Sequence, residues 1–149
     1  MPVSYTVILF QRQHFGNEPN IFAPKINVPF VGLKKDFTFD CPDVDPRQPG
    51  FLLFQSLDVS HDTNVFQING VDVFGGIPVS ATAPSQGDQH PPPLIWNGNI
   101  SLVETQHNLK PTGNVLNVES KNADDFILDN IVIVYKTRGG VVVGGGTNV

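Results

Sequence analysis

"LKPTGNVLNVESKNADDFILDNIVIVYK", Leu109 to Lys136, decides the fold class of this 149-residue chain. It reads as two strand-like runs joined by a polar, acid-tipped loop. In "GNVLNVES", Leu116 and Val118 fall on one face while Val115, Asn117 and Glu119 fall on the other, as in a strand with one face on a core. "DDFILDNIVIVYK" is longer and changes phase. Phe126 and Leu128 share a face by period two; Ile131, Ile133 and Tyr135 share one of the opposite parity. Both sets point inward only if an extra residue is inserted near Asp129-Asn130, so a β-bulge is expected there.

The rest of the chain agrees with strands. There are 19 Val against 4 Ala and 11 Asp against 3 Glu, which favours pleated sheets and turns over helices. "SYTVILF" (4–10), "INVPFVGL" (26–33), "DFTFD" (36–40) and "FLLFQSLDVS" (51–60) read as strands. Pro29 confines the second to an edge or bulge, and the near-continuous apolar run of the last suits a central strand. Asn69-Gly70, between alternating runs, predicts a type I′ hairpin. Residues 14–25 read as a long connection and 75–93 as a Gly/Pro-rich loop. No stretch carries a 3.6-residue apolar stripe. The expected core comprises Val7, Leu9, Phe37, Phe39, Leu52, Phe54, Phe66, Ile68, Leu102, Leu116, Val118, Phe126, Leu128, Ile131 and Ile133. Nine or ten short strands at regular spacing predict a two-sheet sandwich, with one domain over 1–138 and a Gly/Val-rich tail over 139–149.

Three pieces also resemble a known family. "LKPTGNVLNVES" resembles the L-x-x-G-x-N-x-L-x-V segment of galactose-binding-like jelly rolls, including sandwich domains that accompany glycoside hydrolases. "VFQINGVDVFGG" is similar to an earlier hairpin of the same domains, and "DDFILDNIVIVYK" to the terminal strand of related carbohydrate-binding modules. The resemblance covers Val65 to Lys136; the first half of the chain carries no matching motif. It implies an all-β, antiparallel jelly-roll β-sandwich. It does not imply one function, since this fold hosts sugar binders, lipid binders, spacers and particle subunits.

Asp40, Asp43 and Asp45 in "DCPDVD" could bring hard oxygens into one loop, as Ca²⁺ requires, and a structural calcium is common in domains of this resemblance. The alternative is a solvated acidic turn. His14, His61, His90 and His107 show no metal-ligand spacing. Cys41 has no basic neighbour in sequence, and no nucleophile elbow or phosphate loop is present, so a non-enzyme is expected. Sugar binding needs a flat aromatic and a few polar groups. Trp96 is the only tryptophan, and Asp62, Asn64, Asp72, Gln89 and His90 would surround it if the loops after Asp58 and Val73 meet. The alternative for Trp96 is a place in the core.

Two functions remain open. One is a non-catalytic module binding carbohydrate through loops at one end of the sandwich. The other is an assembly subunit of a fibre, capsid-like particle or surface layer, self-associating or binding another protein by strand addition through its terminal segments. Val141, Val142 and Val143, flanked by glycines, suit the second. A net charge of −5 and the lack of any basic cluster beyond Lys34-Lys35 argue against nucleic acid. No run is long enough for a membrane span, and the N-terminus lacks a signal-peptide pattern, so a cytoplasmic chain or export without a cleaved leader is expected.

Overall fold

The computed structural model describes residues 2–23, 26–80 and 101–139, the side chains of 101–103 excepted. The elements in these residues are all strands, ten of them: β1 (Val3–Leu9), β2 (Gln13–Phe15), β3 (Phe30–Gly32), β4 (Lys34–Phe39), β5 (Phe51–Leu57), β6 (Val65–Ile68), β7 (Val71–Asp72), β8 (Ser101–Glu104), β9 (Asn114–Glu119) and β10 (Phe126–Lys136). They form two sheets, a six-stranded one ordered β3-β2-β10-β5-β8 with β1 also on β10, and a four-stranded one ordered β4-β9-β6-β7. The smaller sheet is antiparallel throughout, whereas β2 and β3 of the larger pair in parallel.

The opening stretch supplies the centre of both sheets. β10 is the spine of the larger one. β5 lies along one of its edges, while β1 and then β2 occupy successive halves of the other. Its change of phase is resolved as expected. Asp129 pairs with Gln55 and Val132 with Leu53, so three steps on β10 match two on β5. Asn130 absorbs the extra residue with φ +50, a conformation Asn adopts more easily than most residues. Phe126, Leu128, Ile131 and Ile133 are consequently all inside.

One core is shared by the two sheets. Leu52, Phe54, Leu128, Ile131 and Ile133 of the larger meet Phe37, Phe39, Phe66, Ile68, Leu116 and Val118 of the smaller. The Phe54 and Phe66 rings lie 5.1 Å apart across the gap. This arrangement is compatible with a β-sandwich. Val7, expected inside, is only half-buried. Ser4 and Thr6 hold the inward positions of β1, and a register shift between Val7 and Leu9 brings Leu9 into the core. β5 is central, yet Phe51, Leu53 and Gln55 on its outer face stay half-buried.

The connection expected over 14–25 instead begins with β2, too short for an alternating pattern to reveal. β2 is buried at all three residues, and Phe22 from the following turn packs on Ile127 and Leu57 on the outer face of the sheet.

The hairpin forms at Asn69-Gly70, with φ +52 and +82. Its Asn does more than turn the chain. Asn69 donates from Nδ2 to Asn108 O and to Asn114 Oδ1, and accepts the Val115 N–H. Asn114, fully buried, donates to Lys110 O and Phe39 O and accepts the Lys110 N–H. The hairpin and the "GNVL" turn, 45 residues apart, are thus locked by one amide network.

Candidate functional site

The segment between β5 and β6 is positioned by a single buried carboxylate. Asp124, just before β10, accepts hydrogen bonds from the backbone N–H of Ser60 and His61 and from Asn64 Nδ2, at 3.1, 3.0 and 2.8 Å. Asn64 in turn donates to His61 O and accepts the Lys121 N–H. These bonds converge on the buried Asp124 carboxylate and Asn64 amide, so the loop is held in one shape. At its start stands Asp58, 8% exposed and at φ +61. Desolvation, reinforced by the charges of Asp124 and Asp125, pushes its pKa up to about 6.

This loop forms one wall of an open groove of about 540 Å³. The opposite wall is the end of the β6–β7 hairpin and the Phe74-Gly75-Gly76 turn that follows. Asp62 and Thr63 line the groove from the first side, Asp72, Phe74 and Gln106 from the second. Gly75 and Gly76 take φ of +80 and +55, which lets the chain swing away and leave Phe74 53% exposed. Gln67 Nε2 donates to one oxygen of Asp72, and Gln106 Nε2 to the Asp72 carbonyl. The result is a concave surface with carboxylate and amide groups beside an apolar ring.

Three of the six expected ligand-binding residues, Asp62, Asn64 and Asp72, come together here. They differ in what they can offer. Asp62 is exposed and Asp72 keeps its carboxylate at the rim, whereas the Asn64 amide is committed on both sides to Asp124, His61 and Lys121. Trp96, Gln89 and His90 lie outside the described residues, as do Val141, Val142 and Val143. Phe74 and Gln106 were missed by the sequence reading. The available signal for Phe74 was an aromatic directly before Gly-Gly at the end of a hairpin.

The acidic turn does not present a ready donor set for calcium. Both oxygens of Asp45 are taken by Arg47, which holds the carboxyl below the usual range. Asp40 Oδ1 accepts the Gly113 N–H at 2.8 Å, and Asp43 Oδ2 is buried without a hydrogen-bond partner. Among the described residues no group of three or more His, Cys, Asp or Glu is placed to hold a metal ion.

Two further titratable groups are absorbed by the interior. His14 Nε2 lies 2.8 Å from Asp125 Oδ1, with both side chains almost fully buried, and its ring meets Phe22 and Phe30 edge-on. Cys41 is fully buried, and burial followed by the charge of Asp40 pushes its thiol up to about 12. A thiol buried in this way packs as a small apolar side chain. No described helix is long and apolar enough to cross a membrane.

Comparison with known proteins finds no matching family model, no matching curated protein and no matching solved structure.

Proposed function

We propose that the chain is a non-catalytic binding module of galactose-binding-like jelly-roll type, and that the groove beside Phe74 is its carbohydrate site. The observation that carries this reading is the groove itself. It sets an exposed aromatic ring beside the exposed Asp62, the rim carboxylate of Asp72 and the Gln106 amide, on a wall pinned by Asp124. A sugar ring needs one apolar platform for its C–H face and a few fixed acceptors and donors for its hydroxyls. Here the platform is Phe74, with Asp62 and Asp72 as acceptors and Gln106 as an amide partner. The join between the hairpin and the "GNVL" turn through Asn69 and Asn114 supports the family reading, because it links two of the three pieces on which the resemblance rests.

The test is a broad glycan array followed by titration of the best ligand. Phe74→Ala should abolish binding while leaving the melting temperature unchanged, because the ring is more than half exposed. Asp72→Asn should weaken binding. A blank array with folded protein, or full binding by Phe74→Ala, would overturn the reading.

A further inference from the structure

The free edges of the two sheets are not alike. β3 has three residues and follows Pro29; β7 has two and carries Asp72. β4 carries Lys34, Lys35 and Asp36, and the carbonyl of Glu104 in β8 is taken by the Phe74 N–H. Short length, proline, charge and a covering segment are the devices by which sheets avoid pairing with a neighbour. β1 also follows a proline, Pro2, but it is seven residues long and carries no charged side chain. Its sequence is Val-Ser-Tyr-Thr-Val-Ile-Leu, and among the described residues it pairs only with β10.

The ladder shows which groups face outward. Thr137 N–H donates to Pro2 O at 3.0 Å, which makes Pro2 and Thr137 a hydrogen-bonded pair. Antiparallel pairs alternate in kind, so Ser4–Tyr135 and Thr6–Ile133 are bonded pairs as well. The N–H and C=O groups of Val3, Tyr5 and Val7 therefore point away from β10. Their side chains lie on the outer face, with Val3 and Tyr5 54% and 42% exposed. The start of β1 at Val3 bounds this usable edge at one end, and the register shift after Val7 bounds it at the other.

The five residues between those limits, Val-Ser-Tyr-Thr-Val, differ from their reverse only by the exchange of Ser4 and Thr6, two small hydroxyl residues on the inward face. Such a sequence is complementary to its own reverse. We propose that the Val3–Val7 edge of β1 pairs antiparallel with the same edge of a second copy, about a two-fold axis at Tyr5. Tyr5 then faces Tyr5 of the other copy, and Val3 faces Val7, each as a doubly bonded backbone pair. The two six-stranded sheets become one continuous sheet, and no charged side chain of β1 enters the junction. This gives the assembly alternative a defined surface and does not depend on the groove.

The test is the mass of the full-length chain over a concentration series by sedimentation or light scattering, with two kinds of variant. Tyr5→Lys places two like charges opposite each other and should weaken the dimer by roughly tenfold or more, while Leu33→Lys, at another exposed apolar position, should not. Paired residues of this kind lie about 5.5 Å apart at Cα, within disulfide reach. Tyr5→Cys should therefore cross-link to itself under mild oxidation. Val3→Cys should cross-link only when mixed with Val7→Cys, and the buried Cys41 stays silent. A monomer at every concentration, a dimer indifferent to Tyr5→Lys, or cross-links in a different register would overturn the proposal.

Discussion

Replacing Asp58 by Asn removes one charge from the acidic cluster behind the groove wall while keeping the shape of the side chain. Asp58 stands at φ +61, is 8% exposed, and has its pKa raised from 3.8 to about 6 by burial and by the charges of Asp124 and Asp125. An acid whose folded-state pKa is raised holds a proton that the unfolded chain has already released. Between the two values folding takes up protons, so this group's contribution to stability falls as pH rises. At about 1.4 kcal/mol per pH unit the shift corresponds to about 3 kcal/mol as an upper bound. Solvent reaching this loop reduces that to about 1–2 kcal/mol. Asn tolerates the positive φ as well as Asp does, so no backbone cost offsets the gain. Asp58→Asn is expected to match the parent below about pH 4 and to be more stable by about 1–2 kcal/mol above about pH 6. In a chain of this size that is a rise of a few degrees in Tm. Thermal melts of both proteins across this pH range isolate Asp58 together with its coupling to Asp124 and Asp125, because contributions from acids distant from it cancel in the difference. Equal stability at neutral pH, or a gain that does not change with pH, would refute the reasoning.

Two other substitutions probe the joints of the fold. Asn114→Ala removes one of the three bonds of the Asn69 amide and the side-chain partner of the Phe39 carbonyl and of both backbone groups of Lys110. It should cost about 2–4 kcal/mol by urea denaturation and show strong coupling to Asn69→Ala in a double-mutant cycle. Gly16→Ala would put a Cβ 1.9 Å from Asp125 Oδ1, at a φ of +146, displacing the carboxylate from His14. A loss of roughly 2–4 kcal/mol is expected, with a shifted His14 ring signal by NMR; an unchanged melt would mean the two segments are not in contact.

Much of the fold was legible because sheet structure writes itself into period-two patterns. The opening stretch contained both a regular strand and a phase error, and the phase error located the bulge at Asn130 to within a residue. Asn69-Gly70 named its own turn, since few other pairs accept two positive φ angles. β2 was illegible for the opposite reason. It spans three residues, less than two periods, and only its place between β10 and β3 makes it a strand, whereas β3 falls within the edge strand expected over 26–33. The parallel pairing of β2 with β3 likewise leaves no trace in local sequence.

The candidate site divides in the same way. That Asp62 lies just before a hairpin and Asp72 on its second strand followed from the sequence. That Asn64 is a structural strut and Phe74 an exposed platform did not, because each depends on partners far along the chain, Asp124 in one case and the Gly75-Gly76 swing in the other. The sequence by itself determined the all-β class, the hairpin, the bulge and most of the core, since these rest on alternation and on local turn chemistry. Tertiary structure alone decided which carboxylates are buried and which are offered, and which strand edges pair on one side only among the described residues. Burial, charge proximity and edge exposure are properties of segments brought together from across the chain, and no local pattern encodes them.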